Sequence, residues 1–132
     1  MGWTVEYYEQ ADTTQPAEVF EDALKRSDVK LLAKLQRIAL ALETTGPRLG
    51  GGLIEGCRGY KGLWEMRAIF NNALGREFFG FAGPQVILLH GYVKRVGQPA
   101  STPDLKLAFK YWRDYQKTHR ISPEAPEQED NA

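Results

Sequence analysis

"LWEMRAIFNNALGREFFGF", residues 63–81, decides the fold. It reads as two mostly apolar strands, 63–70 and 75–81, joined by a turn at 71–74. Side chains alternate across a strand. Trp64, Met66, Ala68 and Phe70 therefore share one face, which should pack on helices. Leu63, Glu65, Arg67 and Ile69 take the other. With that turn, Ile69 faces Arg76, and Arg76 joins Glu65 and Arg67 on the second face. A slip of one residue would send Arg76 to the helix side.

The pattern extends both ways from this hairpin. "QVILLHGYVKR", 85–95, is a third strand, and its unbroken apolar run 86–89 points to a position inside the sheet. Strict alternation groups Val86, Leu88, His90 and Tyr92 on one face and Ile87, Leu89, Gly91 and Val93 on the other. Residues 3–10 read as an opening strand. A short helix follows, with Thr14 as cap and Pro16 in its first turn. The clearest helix begins at Asp28, places Leu31, Leu35, Ile38 and Leu42 at helical spacing, and stops at Gly46-Pro47. These two helices should form a packing hairpin. The glycine-rich stretch 46–62 reads as a loop. Thr102-Pro103-Asp104 starts a last helix over 103–119, with Thr102 supplying the capping hydroxyl. The expected order is β-α-α-β-β-β-α, an α+β fold with helices on a small, mostly antiparallel sheet. Residues 1–120 form one domain, and 121–132 an acidic tail expected to be disordered.

Composition narrows the function classes. Length fits one domain with a real core. No apolar run approaches the roughly 20 residues that span a bilayer, and "MGWTVEYYEQ" lacks the features of a secretory leader. The single Cys57 allows no internal disulfide and suits a reducing cytoplasm. Cys57, His90 and His119 make no zinc pattern, so neither metal nor cofactor is expected. "RLGGGLIEG" lacks the Lys-Ser/Thr ending of a phosphate-binding loop. A net charge of zero conceals an uneven distribution: −3 over residues 1–47, +7 over 48–120 and −4 over 121–132. A basic body can attract phosphates, or it can be a solvated charged face.

The arginine face carries the chemistry. Glu65 and Arg67 can form a same-face ion pair, but one carboxylate does not neutralise two guanidiniums. Lys61, Lys94 and Arg95 lie near the strand ends and add donors. Arginine presents a planar fork suited to phosphate oxygens. His90 is the titrating candidate, since histidine ordinarily titrates near neutrality; its alternative is a core histidine bonded to backbone. Tyr92 can stack on a base or fill the sheet.

Four segments taken in order, 63–67, 76–79, 88–95 and 102–108, carry a resemblance. "LWEMR", "REFF", "LLHGYVKR" and "TPDLKLA" resemble elements of the phage-derived, HigB-like branch of the RelE/ParE toxin superfamily. The likeness runs over residues 31–115. It implies a RelE-like fold and a toxin of a type II toxin–antitoxin system. Such a toxin cleaves mRNA, usually on the ribosome, without a metal, and pairs with a helix-turn-helix (HigA-like) antitoxin. The RNA 2′-hydroxyl attacks the adjacent phosphate, leaving a 2′,3′-cyclic phosphate. On that likeness Arg67 and Arg76 hold the phosphate and Glu65 orients Arg67. Lys94 and His90 join the catalytic set, and Lys61, Arg95 and Tyr92 contact RNA. A ParE-like gyrase-inhibiting toxin and a non-catalytic nucleic-acid-binding phage protein are the alternatives.

Overall fold

The hairpin at 63–81 closes more tightly than its sequence suggests. In a computed structural model that describes residues 2–121, β3 (Trp64–Phe70) and β4 (Ala73–Ala82) are joined by Asn71-Asn72 alone. Asn71 adopts φ 57°, a left-handed conformation that asparagine tolerates well. Phe70 pairs with Ala73, Ile69 with Leu74 and Arg67 with Arg76. The expected pairing of Ile69 with Arg76 is thus off by two residues. Two is a whole side-chain period, so the faces survive the shift. Arg76 lies on the face of Glu65 and Arg67, directly opposite Arg67.

The other elements are β1 (Thr4–Tyr7), α1 (Pro16–Ser27), α2 (Val29–Thr45), β2 (Ile54–Gly56), β5 (Gln85–Arg95) and α3 (Thr102–Thr118). The five strands form one sheet in the order β1-β5-β4-β3-β2. Only the β1–β5 pair is parallel. The fold is α+β, with three helices on a mostly antiparallel sheet. β5 lies inside the sheet, and Val86, Ile87, Leu88 and Leu89 are all buried. One strand, β2, falls within the stretch read as a loop. Its three residues pair antiparallel with β3 despite the surrounding glycines.

Helices cover both faces of the sheet. Leu31, Leu35, Ile38 and Leu42 of α2 meet Met66, Phe79, Val86 and Leu88. On the opposite face Ala108, Trp112 and Tyr115 of α3 meet Phe78, Ile87 and Leu89. The indole of Trp112 lies flat against Gly80, where an added Cβ would come within 2.5 Å of the ring. α3 covers only part of this face, and the half carrying the arginines remains open.

A β-bulge in β5 decides what lines that opening. Phe78 pairs with His90, but Phe79 pairs with Leu88, so Leu89 is an extra residue. Leu89 and His90 consequently both lie on the α3 face. The strict alternation expected for this strand is corrected here: Val86 and Leu88 face α1 and α2, whereas His90 and Tyr92 face α3 beside the arginines.

Two of the three α-helix starts differ from expectation by one residue. Gln15, not Thr14, precedes α1 and makes no side-chain cap, because Pro16 fixes the first helical residue itself. Asp28 caps α2 as expected, accepting a hydrogen bond from Leu31 N at 3.2 Å. At α3 the capping hydroxyl belongs to Ser101, which accepts from Asp104 N at 3.3 Å. Apart from Ile121, the expected acidic tail lies outside the described residues.

Candidate functional site

Registers place two rows of side chains across four strands. The first row runs Glu55, Glu65, Phe78, His90. The second runs Arg67, Arg76, Tyr92. Like charges therefore sit directly opposite one another in each row, which alone would be destabilising. Diagonal ion pairs compensate. Arg76 Nη1 donates to both oxygens of Glu65, each at 2.9 Å. Arg67 Nη2 reaches Glu55 Oε1 at 2.8 Å, and its Nη1 lies 3.7 Å from Glu65 Oε2. Glu65 and Arg76 are mostly covered, with side chains 9% and 17% exposed, whereas Glu55 is 58% exposed.

Beside this checkerboard lies a groove of about 370 Å³. Its floor is Glu65, Arg67, Arg76, Phe78 and Tyr92. One wall is Glu55 to Arg58, and the other is Ser101, Thr102 and Leu105 at the start of α3. Three guanidiniums, from Arg58, Arg67 and Arg76, face two carboxylates, which leaves one excess positive charge. Arg76 Nε is buried and has no hydrogen-bond partner. An unmade bond at a buried donor costs about 1–3 kcal/mol. Tyr92 is fixed by its hydroxyl, which accepts from Ser101 N at 3.0 Å. Burial, with help from Glu65, pushes the Cys57 thiol up to about 12, so it is a wall and not a nucleophile.

The remaining expected site residues fall into different places. Arg67, Arg76, Glu65 and Tyr92 come together in the groove. His90 sits one row away and does not line it. Its Nε2 is 2.6 Å from Asp104 Oδ1. A carboxylate only accepts, so Nε2 carries the proton. Asp104 Oδ2 in turn accepts from Ser101 Oγ at 2.5 Å. Here the acid bridges serine and histidine, an arrangement that locks the start of α3 and does not activate the serine. Lys94 donates to the Gln98 carbonyl, and Arg95 N to Gln98 Oε1 at 2.9 Å. Both lie in a separate depression near the Asn71-Asn72 turn. Lys61 belongs to the turn that follows β2.

Glu55, Cys57 and Arg58 are groove residues that the sequence reading missed, because the glycines around them signalled a loop. The readable sign was the apolar pair Leu53-Ile54 beside Glu55, enough for one short edge strand. Among the described residues no cluster of His, Cys, Asp or Glu could hold a metal ion. No described helix is long and apolar enough to cross a membrane.

The chain matches no protein-family model, no curated protein and no solved structure. Fold and groove together define an α+β protein with two opposed arginines lining an open groove.

Proposed function

We propose that this chain is the toxin of a type II toxin–antitoxin pair, an endoribonuclease that cleaves mRNA without a metal. On this reading the core is RelE-like and β2 is an addition at its edge. The protein works in the cytoplasm, on or near the ribosome, and is held in check by a helix-turn-helix antitoxin. The observation that carries the reading is the face-to-face pair Arg67 and Arg76, rigidly mounted on adjacent strands beside a groove. Two guanidiniums so placed can hold the non-bridging oxygens of one phosphodiester and stabilise the charge of a pentacovalent phosphorus. Tyr92, half-buried at the groove, offers a ring face to a base.

Proton transfer falls to the groove carboxylates. Glu65 is held by both arginines and orients them. Glu55 is exposed and can take the proton of the attacking 2′-hydroxyl. The 2′-oxygen bonds to phosphorus, the bond to the 5′-oxygen breaks, and that oxygen takes a proton from water at the open side. A second reading, a non-catalytic nucleic-acid-binding protein, is favoured by the near balance of charge in the groove and by the position of His90 outside it.

End-mapping of cellular RNA after induction separates these. Cleavage is expected with the wild type and is expected to be lost with Arg67→Ala/Arg76→Lys. Growth arrest with intact transcripts, or cleavage indifferent to that double substitution, defeats the nuclease reading.

A further inference from the structure

We infer that the exposed face of α3 is a second, backbone-tracking contact for the same RNA strand; this rests on the nucleic-acid reading of the groove. Lys106, Lys110, Arg113 and Lys117 recur at intervals of four, three and four residues, and all are exposed. At 100° per residue they fall within a sector of roughly 60°, and they span about 16 Å of helix axis. One positive charge therefore recurs about every 5 Å along the helix.

No acid interrupts the stripe. α3 contains two carboxylates, and both are engaged elsewhere. Asp104 is bound to His90 and Ser101, and Asp114 accepts from Tyr8 Oη at 2.6 Å. Among the described residues no carboxylate pairs with Lys106, Lys110 or Lys117. Arg113 is steadied over the ring of Phe109 at 5.6 Å.

The stripe continues from the groove. Leu105 lines the groove and Lys106 is the next residue. Tyr60 packs edge-on against Phe109 with ring centroids 5.3 Å apart, which ties the turn after Arg58 to the middle of α3. A strand leaving the arginines past Arg58 and Leu105 would meet the lysines in succession.

RNA fits this surface better than protein or lipid. Protein interfaces need a buried apolar centre, and membrane-surface helices need apolar side chains to insert. Among the described residues the large exposed apolar side chains are Val19, Val29, Leu40, Leu53, Ile69, Val93 and Val96, none of them on α3.

The test uses the full chain and uncleavable 2′-O-methyl RNA of about four and about twelve nucleotides, the short one filling only a groove-sized site. The variant is Lys106→Gln/Lys110→Gln/Arg113→Gln/Lys117→Gln. The longer RNA is expected to bind the wild type more tightly than the shorter. For the variant that gain disappears, and the slope of log affinity against log salt falls in magnitude by about 3, some 0.7 per lost charge on a single strand. Binding of the short RNA is expected to be unchanged. A variant that keeps both the gain and the slope overturns the stripe, as does one that loses only binding to phosphatidylserine vesicles or to polyglutamate. If the wild type fails to bind even the short RNA, the groove reading falls, and the stripe with it.

Discussion

Glu77 sets a pH dependence that can be worked out in sign and slope. Its side chain points away from the groove, into the core beneath α1, and is 1% exposed. Burial raises its pKa well above the usual carboxylate range, and the neighbouring Glu21 raises it further. Glu21 accepts from Tyr7 Oη at 2.5 Å, and its charge beside Glu77 favours the neutral form of the buried acid. In the unfolded chain Glu77 ionises near pH 4.3, about 4 to 5. The folded state therefore holds a proton that the unfolded state has lost. Its contribution to stability is complete below the unfolded value and is lost as pH rises toward the folded one. The loss is about 1.4 kcal/mol for each pH unit in that window.

Urea unfolding measures this directly. Above the unfolded value the midpoint should fall as pH rises, at about 0.7 M per pH unit for a denaturant slope of roughly 2 kcal/mol per molar, until the folded value is reached. Glu77→Gln keeps a neutral donor toward Glu21 and removes the titration. That variant should lose this part of the slope and surpass the wild type in stability at pH 7. The two chains differ only at this side chain, so the difference between the two profiles isolates Glu77. A wild-type midpoint that rises over this range, or profiles that stay parallel after the substitution, would refute the protonated buried pair.

Two further outcomes rest on packing and pairing. Gly80→Ala would drive a Cβ into the Trp112 ring and should cost about 3 kcal/mol, near the upper end for overpacking, whereas Gly56→Ala meets nothing within 4 Å and should leave the melting temperature within a degree or two. Equal melting temperatures for those two variants would contradict the indole contact. Arg76→Ala leaves the covered Glu65 with only its longer contact to Arg67 and should cost about 2–4 kcal/mol; Arg67→Ala frees mainly the exposed Glu55 and should cost about 1 kcal/mol or less. Denaturation curves in which the order is reversed would contradict the assigned partners.

The elements were legible where the chain repeats a period. α2 reads from Leu31, Leu35, Ile38 and Leu42, and its cap from Asp28. The arginine face was legible because a hairpin register can be wrong by two residues without exchanging faces. Three things were not. The bulge at Leu89 depends on how β5 meets β4 across the whole ladder, and nothing local marks it. β2 draws its hydrogen bonds from β3 and not from its own propensity, so glycines concealed it. The pairing of His90 with Asp104 depends on where α3 lands, and the sequence interval between them contains no sign of it.

On the proposed reading, the checkerboard also explains why carboxylates belong in a phosphate site. Two guanidiniums opposite one another on adjacent strands repel, and an empty groove would splay them or weaken the sheet. Glu65 holds both and is covered, so it stays when a ligand arrives. Glu55 holds only Arg67, is largely exposed, and sits on a three-residue edge strand. It is the group that a phosphate can displace at small cost, since an exposed ion pair contributes about 0–1 kcal/mol. Exchange of Glu55 for phosphate would leave Arg67 paired throughout and release the exposed carboxylate. On the nuclease reading, that displacement would free the exposed groove carboxylate to take the proton of the attacking hydroxyl.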